Sequence, residues 1–139
     1  MNLGNSITLG NLAVKKVTFG NVEIWPSTPS DAFMVTAIYL DDVLTENTSY
    51  LDADSNSHWF EIVVLSLVGG QSSNVTLRYQ YDYIGLSGGG YTEPNPGERH
   101  YSFTMTGNST REERDARIQF TQQGTGQAIT ISVWQEEMM

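Results

Sequence analysis

Gly85-Leu-Ser87-Gly-Gly89 has the spacing of a nucleophile elbow, the strand-to-helix bend that lifts a serine hydroxyl toward a histidine and an acid. The surroundings do not supply the rest. Gly88-Gly-Gly90-Tyr91 follows where a helix should start, and no histidine lies beyond Asp115. Ser87 therefore reads as a serine in a glycine-rich loop. Asp52-Ala-Asp54-Ser-Asn56 has the one-three-five ligand spacing of a calcium loop, but Ser57 stands at the sixth position and Val63 at the twelfth, where that loop needs glycine and glutamate. Asp52, Asp54 and Asn56 are then either a looser calcium site or a turn built on their own local hydrogen bonds. His58 and His100 are the only histidines, and the chain has no cysteine, so a transition-metal site is not expected. Nothing in the pattern promises a deep cleft for paired carboxylates. The expectation is a protein that is not an enzyme, with no cofactor and no resident metal.

Other residues suit recognition better than catalysis. Arg111-Glu-Glu-Arg114-Asp-Ala-Arg117 is a mixed charge run, while residues 31–61 hold seven acids and no Lys or Arg. Such a run is either a solvated turn or an ion-pairing patch for a neighbouring subunit, since the planar fork of arginine suits interface carboxylates. Arg111, Arg114 and Arg117 are the interface candidates there, and Leu9, Phe19 and Trp25 are those near the start of the chain. Tyr79, Tyr81 and Tyr83 recur at period two, placing them on one strand face, either half-buried in a core or exposed to stack on sugar rings. Trp59, Tyr79, Tyr81 and Tyr91 are the glycan candidates, with segment 85–98 as their lid. Sequons at Asn47, Asn74 and Asn108 read as chance matches.

These residues need a frame, and composition bounds it. The chain has 139 residues, about one domain of ordinary size. Sixteen acids against seven bases give a net charge of −9, which argues against a nucleic-acid partner. No stretch approaches the ~18–20 consecutive apolar residues of a spanning helix, so no membrane partner is expected. Charged residues are only 17%, with three Trp, seven Tyr and five Phe, a composition that can build a core rather than a disordered acidic tail. Met1-Asn-Leu-Gly-Asn-Ser lacks the basic and apolar regions of a secretory signal, so the product is expected to stay where it is made.

Gly4-Asn5, Gly10-Asn11 and Gly20-Asn21 separate short apolar-alternating runs, a pattern of tight turns between three strands. Residues 1–25 thus read as a β-meander that docks on another surface. Residues 26–32, with Pro26 and Pro29, read as a linker. From 33 to 139 the strands expected are Phe33–Leu40, Trp59–Val68, Val75–Tyr83, His100–Thr106, Ala116–Gln122 and Ala128–Gln135, with a weaker one near Thr48–Leu51. Gly85–Glu98 reads as a long loop. Six or seven short strands in about 105 residues fit an all-β, immunoglobulin-like antiparallel sandwich.

Two stretches resemble known proteins. Asn108-Ser-Thr-Arg-Glu-Glu-Arg114, the strand Ala116–Gln122 and the closing Ile129-Thr-Ile-Ser-Val-Trp-Gln135 resemble the end of a BACON domain. That immunoglobulin-like module of Bacteroidetes and their phages ends in an Asn, an Arg, two strands and a Val-Thr-Gln-like tripeptide. Trp134 departs from the usual small residue, Trp59 corresponds to the module's central tryptophan, and the glycine-rich segment is not standard. The match is good over about a third of the chain and loose over the rest. Val17-Thr-Phe-Gly-Asn-Val-Glu-Ile-Trp25-Pro26 is similar to openings of small virion proteins of crAss-like phages. The resemblance implies a virion structural protein assembled in the host cytoplasm, most simply a capsid auxiliary or decoration protein. Its partners would be other virion proteins, the major capsid protein first, or further copies of itself. A tail, collar or fibre component and a carbohydrate-binding adhesion module are the alternatives.

Overall fold

The computed structural model describes residues 31–138, and within them every regular element is a strand. In chain order these are β1 (Ala32–Leu40), β2 (Val43–Leu44), β3 (Tyr50–Ala53), β4 (His58–Val68) and β5 (Gln71–Ser72). They continue as β6 (Val75–Gln80), β7 (Ser87–Asn95), β8 (Glu98–Met105), β9 (Arg114–Gln122) and β10 (Ala128–Gln135). One sheet has the order β3-β10-β9-β6, and the other β2-β1-β4-β8-β7 with β5 beside β4. The protein is an immunoglobulin-like β-sandwich. Every strand pair is antiparallel except β10 with β3. The expected meander and its candidates Leu9, Phe19 and Trp25 lie outside the described residues. Strand β1 opens at Ala32, inside the span read as linker.

Period-two alternation makes the layers. Ala116, Ile118 and Phe120 on β9 and Ile131 and Val133 on β10 are buried, with half-exposed neighbours between them. They meet Ile38, Phe60, Ile62, Val64, Tyr101 and Phe103 of the larger sheet. Phe60 stacks on Phe103 at 5.0 Å between ring centres, and Tyr101 tilts onto Phe120 at 5.1 Å. Such aromatic pairs add to what area burial alone supplies.

Two glutamines are as deeply buried as this core. Gln122 and Gln135, which end β9 and β10, are 1% and 0% exposed. The Gln122 amide donates across the sandwich to the carbonyls of Ala32 (3.0 Å) and Leu67 (3.3 Å) and to Ser66 Oγ (3.1 Å), and its Oε1 accepts from Thr125. Gln135 donates to the carbonyls of Thr106 (2.8 Å) and Asn56 (3.3 Å) and accepts from Arg114 (2.7 Å). Each therefore ties the smaller sheet to backbone of, or next to, the larger one.

The loop expected over Gly85–Glu98 is for the most part a strand. Ser87–Asn95 forms β7 and pairs antiparallel with β8. A bulge falls between Gly88 and Gly90, where Gly88 and Gly89 have φ of 105° and 103°. A Cβ on Gly88 would stand 2.5 Å from the Ser102 carbonyl oxygen, so only glycine allows this close approach. Tyr79 donates to the Gly88 carbonyl at 3.2 Å, joining the edge strands of the two sheets. Strand β6 is shorter than expected: it ends at Gln80, and Tyr81 turns left-handed at φ 51°. The crossing to β7 is organised by Asp82, whose carboxylate accepts from the N–H groups of Ile84, Gly85 and Leu86 and seats buried Ile84 and Leu86 in the core.

Gln122→Leu preserves much of the volume but leaves the Ala32 and Leu67 carbonyls without their donor. A buried acceptor stripped of its partner costs about 1–3 kcal/mol. Urea unfolding should show a loss of that size with an unchanged m-value; a loss within ±0.5 kcal/mol would mean that water replaces the amide.

Candidate functional site

The candidates from the sequence do not gather at one place. Ser87 lies in strand β7 with its hydroxyl 2.5 Å from Thr104 Oγ1, and no helix follows it among the described residues. Asp52 points outward from β3. Asp54, beyond the end of that strand, accepts from the Asn56 N–H at 3.0 Å and from His58 at 2.6 Å. Asp54 and Asn56 thus make the local turn, and Asp52 belongs to a different surface.

The arginine run also divides. Arg111 is exposed. Arg114 turns inward, bonding Gln135 and the carbonyls of Thr106 and Gly107. Beside it Asn108, 2% exposed, donates to the carbonyls of Glu112 and Glu136. Asn108, Arg114 and Gln135 thus satisfy backbone carbonyls at one end of the sandwich, with Arg114 and Gln135 also bonded to each other. Arg114 is a strut within the fold, not a free contact residue. Arg117 faces outward from β9, its guanidinium carbon 5.9 Å from the Tyr81 ring centre.

The tyrosines expected on one face are split as well. Tyr79 packs edge-on against Phe103 at 6.3 Å, whereas Tyr81 and Tyr83 lie beyond the strand and are 66% and 65% exposed. Burial raises the pKa of the Tyr79 phenol, with the charge of Asp82 adding to it. Tyr91 lies against Tyr101 at 5.2 Å and under the Arg99 guanidinium at 4.7 Å. Arg99 is itself 4% exposed, held by Ser72 and Asn74 near Glu93. Trp59 stands alone on the outer face of β4, opposite Thr104. The glycan candidates Trp59, Tyr79, Tyr81 and Tyr91 form no shared platform.

What the structure does assemble is a shallow groove on the outer face of the smaller sheet, lined by Ser49, Tyr50, Asp52, Glu113, Ser132 and Trp134. The parallel β3–β10 register sets Ser132 beside Tyr50 and Trp134 beside Asp52. Trp134 is one of the outward positions in the alternation of the last strand, and that alternation was the available signal. Tyr50 could not be matched to it, because the β3–β10 pairing joins segments about eighty residues apart.

Both histidines sit in carboxylate clamps. Leu40-Asp41-Asp42-Val43 is a two-residue turn with Asp41 and Asp42 at φ 49° and 69°, the form such hairpins favour. It aims Asp41 back at β4, where Oδ1 accepts from the Trp59 N–H and Oδ2 lies 2.5 Å from His58 Nδ1. With Asp54 on Nε2, both ring nitrogens face carboxylates, which an imidazole satisfies fully only when protonated. Burial alone would lower the pKa of His58, but the hydrogen bonds and charges of Asp41 and Asp54 outweigh it and the pKa rises. The Asp41 carboxyl is held low mainly by His58, and Asp54 mainly by the Asn56 N–H and then by His58. His100, between Glu98 (2.8 Å) and Glu61 (3.4 Å), is raised against its burial in the same way.

The sign follows from linkage. Histidines raised in the fold contribute stability that is complete below their unfolded pKa near 6.5 and is lost as pH rises through the folded value. Carboxyls held low contribute stability that is present above their unfolded pKa near 3.8 and is lost as pH falls through the folded value. The melting temperature should therefore be highest between these two windows and fall from pH 6 to pH 8. His58→Gln should flatten much of that fall, and an unchanged slope in this variant would show the clamp to be silent.

No protein-family model matches the chain, and no curated protein matches it. Among solved structures it is similar to the ZirS C-terminal domain, with 15% identity, 89% of this chain and 85% of that one covered, and a TM-score of 0.41.

Proposed function

We propose that the chain is a non-enzymatic structural protein of a phage particle, a capsid auxiliary or decoration protein that works through protein–protein contact in a virion assembled in the host cytoplasm. The observation that supports this reading best is the outer edge of β1. Among the described residues, β2 pairs with β1 only at Tyr39 and Leu40, which leaves Ala32–Ala37 without a ladder partner on that side. Ala32-Phe-Met-Val-Thr-Ala37 holds no charge and no proline, the devices with which edges are usually blunted, and only the bulge between Val35 and Ala37 interrupts it. An edge of this kind accepts a strand from a partner, with backbone hydrogen bonds supplying affinity and alternate side chains supplying register. Val43 and Leu44, 67% and 58% exposed, extend the same edge with apolar surface. The rest of the sandwich is well packed and would serve as a rigid spacer.

Mass spectrometry of purified particles of the encoding phage, counting this chain against the major capsid subunit, is the test. Copy numbers comparable to the capsid subunit are expected; a few copies per particle would move the protein to tail, collar or fibre, and absence would overturn the virion reading. Met34→Lys sets a charge on β1 at an outward position already 47% exposed. It should leave the melting temperature within a few degrees of wild type while lowering incorporation severalfold. Full incorporation of this variant would remove the β1 edge from the contact.

A further inference from the structure

On the outer face of the smaller sheet, register places three side chains in one row across β3, β10 and β9: Asp52, Trp134 and Asp115. Directly opposed side chains of an antiparallel pair have Cβ atoms roughly 4.5–5.5 Å apart, which sets Asp115 beside the indole, and on its other flank Asp52 lines the groove with it. Tyr50 occupies the next row on β3, and Glu113 closes the groove. Trp134 and Tyr50 are 37% and 44% exposed. None of Asp52, Glu113 or Asp115 takes part in an ion pair among the described residues.

The core does not require this arrangement, because Val133 and Gln135 fill the inner side of the same strand. Its charge selects the ligand. The face of an indole attracts cations through its quadrupole, and Trp is the strongest of the aromatic side chains in this respect. Flanking carboxylates reinforce that attraction and accept the cation's hydrogen bonds. A neutral sugar would need donors and acceptors in balance, and the lining has the carboxylates of Asp52 and Glu113, with Asp115 next to Trp134 by register, against the indole N–H and the hydroxyls of Ser49, Tyr50 and Ser132. Between the two protein cations, the planar guanidinium can stack on the ring while its edge reaches both carboxylates, which a compact ammonium does less well. The chain makes this kind of contact internally, with Arg99 over Tyr91 and Arg117 beside Tyr81.

We propose that the Trp134 groove is a docking site for an arginine side chain presented by a partner protein. The inference goes beyond the assembly reading and does not depend on it, since it concerns another surface and is tested without particles.

The experiment is an NMR titration of the full chain with the peptide acetyl-(Gly-Arg)4-amide, with its citrulline counterpart and with maltohexaose as controls. The Trp134 indole N–H and the amides of Asp52 and Asp115 should shift with the arginine peptide and stay in place with the other two. Trp134→Leu keeps the protein's charge and should weaken binding about fivefold. Asp52→Asn with Asp115→Asn should weaken it by a similar factor. Asp42→Asn with Glu46→Gln, the same charge change on exposed residues outside the groove lining, should not. Equal shifts from the citrulline peptide, arginine binding that survives Trp134→Leu, or loss equal in both charge-changed pairs would each overturn the proposal. Shifts from maltohexaose alone would overturn it in favour of a sugar platform.

Discussion

The sandwich depends on its two buried glutamine amides. Hydrophobic contact holds two sheets together but does little to fix how one slides on the other, because apolar attraction has no direction. A buried amide does have direction. Gln122 fixes the end of β9 against the carbonyls of Ala32 and Leu67, and Gln135 fixes the end of β10 against those of Thr106 and Asn56. A slip of either sheet would leave several buried polar groups unpaired at once, each at a cost of about 1–3 kcal/mol. Between the two ends, Phe60, Phe103, Tyr101 and Phe120 interlock in the one register the amides allow.

That arrangement decides where function has room. With the interior filled and both ends closed by polar networks, the surfaces left for partners are the outer faces and the open strand edges. The two edges of the larger sheet are treated differently. On the β7 side the glycine bulge, Pro94 and the Tyr79 hydrogen bond bend and tie down the strand, which are recognised ways of keeping an edge from pairing. On the β1 side, among the described residues, only the bulge near Thr36 does so. An asymmetry of this sort directs strand addition to one side of that sheet.

The parts of the fold legible in the sequence were those where side chains report the backbone. Ala116–Phe120 and Ile129–Val133 alternate cleanly because each strand has one face in the core. Strand β7 was hidden for the same reason: Gly88, Gly89 and Gly90 have no side chains to alternate, and at the glycines the pairing with β8 is backbone contact. The three tyrosines looked like one face because period two was extrapolated through Tyr81, where a left-handed φ breaks the strand. Arg114 looked like surface in a run of charges, yet its position two residues before buried Ala116 puts it on the inward side of β9. The Trp134 groove was out of reach, since β3 meets β10 in parallel across most of the domain's length. The histidine clamps were equally non-local: Asp41 reaches His58 only because a tight turn folds β1 back on itself.

The same placement changes what the net charge means. From residue 31 onward the chain has fifteen acids and five arginines, and two of those arginines, Arg99 and Arg114, are turned into the fold. The field at the surface is therefore more acidic than the composition suggests, and the cations that remain outside, Arg78, Arg111 and Arg117, are few. Long-range attraction will favour a basic partner whichever face it first meets. It cannot by itself choose an orientation. Orientation has to come from short-range groups with fixed geometry, an indole beside carboxylates on one face and a ladder left open, among the described residues, on one edge. Neither is strong alone. Two weak contacts on one chain act together where a single partner surface presents both, because binding at the first raises the effective concentration at the second.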